Sequence, residues 1–237
     1  KNILSQEKRY EKAAQTMTPK PLEEEQIQLF FSDIEPLAAS KIIVRLENET
    51  LSIGERILAQ GLQLTVRGQE KIGIIGPNGV GKSTLLAKLH QLLSDKREIS
   101  LGFMPQDYQE TLQLDLSPVE FLSQTGHKEE LQKIQSHLAS LNFSYPEMHH
   151  QIHSLSGGQQ GKLLLLNLVL RKPNFLLLDE PTRNFSPTSQ PEIRKLFANY
   201  PGGLVTVSHD RRFLKEVCTT IYRLTEHGLE VVDLQDL

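Results

Sequence analysis

The sequence predicts an α/β fold: a mostly parallel sheet at the core, an antiparallel β layer ahead of it and a short helical region inserted within it. Three observations lead there. From residue 70 onward, short apolar strand-like runs alternate with stretches of helical periodicity, the order that builds a parallel sheet. Ahead of them, "IIVRLEN" and "RILAQGLQLTV" are β-branched and apolar runs separated by turn residues, as an antiparallel pair requires. Between about 107 and 170 the chain is helix-leaning and begins with a polar stretch.

Taken in order, residues 1–34 read as the remnant of an interdomain linker. They are charged and broken by Pro19 and Pro21, with "NILSQEKRYEKAAQ" as a short solvated helix and "PLEEEQ" as a spacer. Their lysines and Arg9 are offset by Glu7, Glu11, Glu23, Glu24 and Glu25, which leaves no basic patch to grip nucleic acid. The chain begins on Lys1 with no signal-peptide pattern and reads as a piece of a longer protein. Residues 35–237 carry the compact domain. "EKIGIIG" is a short buried strand, "KSTLLAKLHQLL" a helix and "KEELQKIQSHLASL" an amphipathic helix. "LLLLNLVL" reads as a helix buried against the sheet, and "FLLLD" and "GLVTVSH" as buried strands. A helix over Gln190–Asn199 is expected to open with a capping box, Ser189 paired with Glu192, with Pro191 tolerated in its first turn. "IYRLTEHGLEVVDL" reads as a terminal hairpin turning near His227-Gly228.

Composition narrows the function. A chain of 237 residues, 38% hydrophobic and 23% charged, is that of an ordinary globular domain, and a net charge of −3 points to no polyanion. The single Cys218 excludes an internal disulfide framework, fits a reducing cytoplasm and reads as a small core residue. No apolar run approaches the ~18 residues a membrane helix needs.

The chemistry starts at "GPNGVGKST". Gly76, Pro77, Asn78, Gly79, Val80, Gly81, Lys82, Ser83 and Thr84 match the phosphate-loop pattern and lie between a strand and a helix, the context that pattern requires. The glycines let backbone N–H groups curl around phosphate oxygens at a helix N-terminus. Lys82 is expected at the β- and γ-phosphates of a nucleotide, Ser83 on Mg²⁺ and Thr84 facing the α-phosphate. "FLLLDE" is an apolar strand ending in two carboxylates, Asp179 to hold Mg²⁺ and Glu180 to deprotonate an attacking water.

A second anion site is harder to explain. "SLSGGQQGKLLLLNLVL" places two glycines at the start of a leucine-rich helix, each costing about 0.5–1 kcal/mol relative to alanine. A Ser-Gly-Gly turn presents a hydroxyl and free N–H groups to an anion. Since the chain already holds one cradle, the economical arrangement is two domains head to tail, each offering this turn to the nucleotide held by the other.

With these motifs in this order, the sequence resembles the ATP-binding cassette (ABC) family over nearly all of Ile42–Leu237. The resemblance makes Gly76–Thr84 the phosphate loop, Gln106 in "FMPQDY" the glutamine loop and Leu155–Gln159 the signature. Ser156, Gly157, Gly158 and Gln159 would then contact the partner's ATP. It implies that Gln106 contacts Mg²⁺ or the attacking water, and that His209 in "VSHD" contacts the γ-phosphate and positions the water. Catalysis is thereby assigned to Glu180, His209 and Gln106, metal binding to Ser83, Gln106 and Asp179. The cofactors implied are ATP and Mg²⁺, and the partner is a second cassette.

About seventy residues separate Thr84 from Leu155, a compact helical region similar to that of the ABC-F group. Those proteins carry two cassettes on one chain and act at the ribosome; "MPQDYQE" and "SHDRRFLKEVC" also look like that group. The charged N-terminal stretch resembles its linker, which would make this the second cassette. "DEPTRNFSP" looks like its antibiotic-resistance branch. Two rivals share the motifs: the ATP-binding subunit of a membrane transporter, docking its partner near Gln106, and a nucleotide-gated binding module with little turnover.

Some positions depart from the family. Where most cassettes read DEPTNHLD, this chain has Arg183, Asn184, Phe185 and Ser186, and Ser186 replaces an aspartate that helps the two halves communicate. Where many stack an aromatic residue on adenine, "TLSIGERIL" offers Ile53, so apolar contact and weak base selectivity are expected. In "MHHQIH", His149 and His153 could share a helix face, but zinc needs a fuller ligand set.

Overall fold

The computed structural model describes residues 29–233 and Gln235. The helix and spacer expected within residues 1–28 lie outside the described residues. β1 (Ile42–Ile53) and β2 (Arg56–Arg67) pair antiparallel around a tight turn at Gly54-Glu55, as their composition predicts. The main sheet runs β4-β5-β6-β3-β7-β8, built from β3 (Lys71–Ile75), β4 (Leu101–Met104), β5 (Phe175–Asp179), β6 (Gly203–Val207), β7 (Thr220–Thr225) and β8 (Gly228–Val232). Its first five strands are parallel, and β8 returns antiparallel on β7 through a turn at Glu226-His227.

The parallel strands are buried on both faces, and β5 shows how its side chains divide. Phe175 and Leu177 point into a core shared with the β1–β2 pair and α1 (Lys82–Ser94), while Leu176 and Leu178 point into the core formed with the helices on the opposite face. Period-two alternation along a strand with no polar face produces this two-sided burial.

The second core holds the helical segment: α2 (Pro118–Leu122), α3 (Lys128–Ser140), α4 (Tyr145–His149) and α5 (Gly157–Arg171). Four successive leucines, Leu163 to Leu166, are fully buried. A helix apolar on all sides in this way belongs inside a protein. α6 (Gln190–Ala198) and α7 (Arg211–Val217) complete the layer, and Cys218 is buried beside them. Ahead of β1, Leu29 is buried and the Phe31 ring meets Tyr200 edge-on at 4.8 Å.

Two local expectations change. Ser189 does not cap α6: its backbone is already helical (φ −86°, ψ −24°) and its side chain makes no capping bond. Ser186 opens the turn instead. Its carbonyl accepts from the N–H of Ser189 and Gln190, and its hydroxyl lies 2.9 Å from that of Ser189. The cause is Pro187, which disfavours helical backbone at the residue before it, so Ser186 stays outside the turn and closes it. His149 and His153 do not share a helix face, because α4 ends at His149 and His153 sits in a separate 3₁₀ turn, Ile152–Ser154.

Candidate functional site

The strand order decides which motifs meet. β3, β4, β5 and β6 are parallel neighbours in one sheet, so the segments leaving their carboxyl ends emerge on one edge. Those segments carry the phosphate loop, Gln106, Asp179-Glu180 and His209. Clefts of open α/β sheets form at this edge. Here it is a cleft of about 730 Å³ lined by Asn78, Gly79, Gly81, Lys82, Ser83 and Thr84 from the loop and α1, by Gln106, and by Asp179, Glu180 and His209.

The loop is preformed. Gly81 caps α1 with φ 107°, and a Cβ there would stand 2.9 Å from both Leu51 and Leu58 of the β1–β2 pair. Gly76 adopts φ 153°, with the Leu224 carbonyl 2.8 Å from where its Cβ would be. No other residue fits either position without displacing its neighbours. Lys82 is folded back onto the loop and donates to the Gly76 carbonyl at 2.9 Å and the Pro77 carbonyl at 3.0 Å. Val80 packs beneath. Burial pulls the Lys82 ammonium below its ordinary pKa, while the negative fields of Glu180 and Asp179 act the other way.

Opposite the lysine stand the two carboxylates. Asp179 ends β5 and accepts from the Ser83 hydroxyl. Its pKa is raised by burial, against which Ser83, Lys82 and Arg183 act. Glu180 has left the strand in a left-handed conformation, φ 51°, which costs a non-glycine residue about 1–3 kcal/mol and clusters at functional sites. The carbonyl of Val207 holds its N–H at 2.9 Å. Its carboxylate accepts from the His209 N–H at 3.2 Å, and the other oxygen lies 3.6 Å from His209 Nε2. Burial again raises the pKa, making Glu180 a stronger base than an exposed glutamate.

The loops are tethered from behind. Thr182 donates to Asp210 at 3.2 Å, and buried Arg194 lies 3.9 Å from Asp210 and 3.1 Å from Glu216. The turn after Glu180 and the turn after His209 are thus pinned to each other and to α6.

The donor set suits magnesium. Ser83 and Asp179 touch and Gln106 lines the same cleft, a hydroxyl, a carboxylate and an amide, and Mg²⁺ takes oxygen ligands, keeping several waters. The loop's backbone N–H groups and Lys82 suit phosphate.

Ile53 lines the cleft and is 60% exposed. Sequence reasoning missed three lining residues: Leu58, Val207 and Arg183. Leu58 follows from the hairpin register, since Ile53 pairs with Arg56 and Leu58, two residues further along β2, returns to the same face. Arg183 had been noticed only as a departure from a pattern.

The signature residues stand elsewhere. Ser156 and Gln159 form a reciprocal capping box, and Gln159 Nε2 also donates to Glu147 at 2.7 Å. The Ser156 hydroxyl is therefore engaged as an acceptor rather than free, though the N–H groups of Gly157 and Gly158 have no acceptor among the described residues. Gly157 borders a second hollow, lined also by Gln106, Tyr108, Gln160, Arg183 and Asn184. Behind it the Phe185 ring approaches Gly161 so closely that a Cβ there would meet it at 2.8 Å.

Comparisons with known proteins bear on the family and the fold. The family model described as "ABC transporter" matches residues 59–183. "Probable ATP-binding protein YheS" of Escherichia coli (strain K12) is 30% identical over 210 residues, covering 86% of this chain and 33% of that protein. "ABC transporter F family member 2" of Arabidopsis thaliana is 28% identical over 234 residues, covering 95% of this chain and 34% of the relative. The chain thus spans about a third of the length of the curated relatives it matches. Among solved structures, "Dimeric structure of a post-hydrolysis state of the ATP-binding cassette MJ0796 bound to ADP and Pi" superposes with a TM-score of 0.67 at 21% identity, covering 80% of this chain and 98% of that one. That likeness is one of fold. None of the described helices is long and apolar enough to cross a membrane. With a preformed phosphate loop facing a strand-end carboxylate pair, and a family match running from β2 through that pair, this chain belongs to the ABC transporter family as an ATP-binding cassette.

Proposed function

We propose that the chain hydrolyses ATP in partnership with a second cassette, as part of a two-cassette protein of the ABC-F type that works at the ribosome. One observation carries the pairing. Lys82, Asp179, Glu180 and His209 share a cleft, whereas the Gly157 turn lies outside it, and a Cβ on Gly157 would meet nothing within 4 Å. Its φ is not positive either. The chain's own fold gives no reason for glycine there, which fits a position reserved for close approach by another molecule.

In this reading the loop from Gly76 to Thr84 binds the phosphates, and Ser83 and Asp179, with Gln106, hold Mg²⁺. The metal, when bound, neutralises charge on the β- and γ-phosphates. Glu180 accepts a proton from the attacking water, a role favoured by its raised pKa and its clamp to the His209 backbone. His209, with a side chain 57% exposed, reaches for the γ-phosphate. Ile53 and Leu58 offer the base an apolar shelf; the cleft lining has no Phe, Tyr or Trp to stack on it. Residues 1–34 belong to the linker, whose Leu29 and Phe31 pack on the cassette, and residues 35–237 to the cassette, with residues 107–170 as its helical part. The ribosome and a drug-resistance role rest on the motif resemblance and on relatives bearing the ABC-F name.

Phosphate release measured across protein concentrations tests the pairing. The rate per molecule should climb as chains associate; a high rate independent of concentration overturns it. Sedimentation of the parent protein carrying Glu180→Gln with ATP tests the site of action: it should travel with ribosomes, and recovery with membranes instead would refute that part.

A further inference from the structure

Two side chains line both the phosphate cleft and the hollow in front of Gly157: Gln106 and Arg183. The mechanism above uses the first and leaves the second without a task. Arg183 is held at the rim by its backbone, whose N–H donates to the Glu180 carbonyl at 3.0 Å, and by the neighbouring Thr182–Asp210 bond. Its side chain makes no hydrogen bond or ion pair among the described residues. Arg194 offers the contrast: buried in the same layer, it is matched by Glu216 and Asp210. The field of Arg183 reaches Asp179 and lowers its pKa, yet the guanidinium donors make no hydrogen bond among the described residues and are open to an anion that arrives from outside.

Charge balance points the same way. Within the cleft, Lys82 faces both Asp179 and Glu180, so the site without Arg183 is net negative before a triphosphate enters. A second cation restores balance, and the planar guanidinium fork matches phosphate oxygens bidentately.

We propose that Arg183 binds the γ-phosphate of the ATP held by its own chain, an arginine supplied in cis that distinguishes triphosphate from diphosphate. The proposal rests on the nucleotide-site reading and deepens it. It also supplies a mechanical output. The residues that follow Arg183 lie against the signature helix: the Asn184 carbonyl stands 3.5 Å from where a Gly158 Cβ would be, and the Phe185 ring abuts Gly161. Loss of the γ-phosphate releases Arg183 and with it the turn that braces α5.

Titration calorimetry of the chain with Mg·ATPγS and with Mg·ADP tests it, comparing wild type with Arg183→Ala and Arg183→Lys. Arg183→Ala should weaken Mg·ATPγS about tenfold, the order of one charge-assisted contact, and change Mg·ADP by less than about twofold. Arg183→Lys should recover part of the loss, since it keeps the charge without the fork. Equal loss for both nucleotides, or none for either, overturns the γ-phosphate contact and leaves the nucleotide site standing. Failure of the wild type to bind either nucleotide, or wild-type binding by Lys82→Ala, takes down the site itself and the proposal with it.

Discussion

α1 and α5 both begin beside glycine, and they meet their surroundings in opposite ways. The N-terminus of α1 is enclosed: Gly81 is wedged against Leu51 and Leu58, Lys82 folds over the loop, and Asp179 and Glu180 face it across the cleft. The N-terminus of α5 is open. Its capping box satisfies Ser156 and Gln159, but a Cβ on Gly157 would meet nothing within 4 Å, and the hollow it borders is lined by Asp107 and Arg183 rather than by a lysine folded over the turn. The same backbone chemistry thus builds a complete anion site at one helix and half of one at the other. An N-terminus attracts anions through its dipole and free N–H groups, but a catalytic site needs cations, metal ligands and a base around it as well.

The largest effect should come from exchanging damage between the two helices. Lys82→Ala should lower ATP affinity by a hundredfold or so, measured by calorimetry. Gly157→Asp should leave the affinity of the lone chain within about twofold and yet reduce phosphate release in a two-cassette assembly by about the same hundredfold, since it places bulk and negative charge where a neighbour's phosphate would come. If Gly157→Asp lowered affinity in the isolated chain, the contrast between the sites would collapse.

Next comes the base. Glu180→Gln should cut turnover by about a hundredfold, the lower end of the range for a positioned general base, while ATP affinity holds. Single-turnover kinetics separates the two, and unimpaired turnover would remove Glu180 from that role.

A smaller effect concerns the brace between the sites. Gly161→Ala forces a Cβ into the Phe185 ring and should destabilise the fold by about 1–3 kcal/mol in urea unfolding. Adding Phe185→Leu should return most of it, because the smaller side chain vacates the space. Additive losses would show that the contact is not shared.

The smallest effect separates the sites by pH. Burial raises the pKa of Asp179 above its ordinary 3.8, so the folded state binds that proton more tightly than the unfolded chain does. Stability should therefore decline as pH rises from the ordinary value through the raised one. Asp179→Asn should flatten that decline and leave the nucleotide-free chain more stable at neutral pH, read as a urea midpoint. A midpoint unchanged by the substitution would mean that the buried charge is already compensated.

Much of the fold is legible in the sequence because its signals are local. A run such as "FLLLD", buried at every position, announces an interior strand, and a loop of glycines ending in Lys-Ser between a strand and a helix announces a phosphate cradle. Where a partner lay far along the chain, local signals misled. Ser189 and Glu192 have capping spacing, yet Pro187 moved the turn upstream and buried Ser189. Gly161 looked like one glycine among several until Phe185, twenty-four residues on, was seen to fill its place. In the sequence Arg183 is a departure from a pattern; in the fold it lines the same cleft as Lys82 and acts on Asp179.

By itself the sequence determined the strands, the helices and the donors each motif carries, because hydrophobic periodicity, glycine backbone freedom and side-chain chemistry act within a few residues. Only the tertiary structure decided that β6 lies between β3 and β5, bringing His209 against Glu180 and both within reach of the loop, and that the Gly157 turn faces outward. Those outcomes follow from how two apolar cores close on opposite faces of one sheet, a constraint satisfied by the chain as a whole and written in no single segment of it.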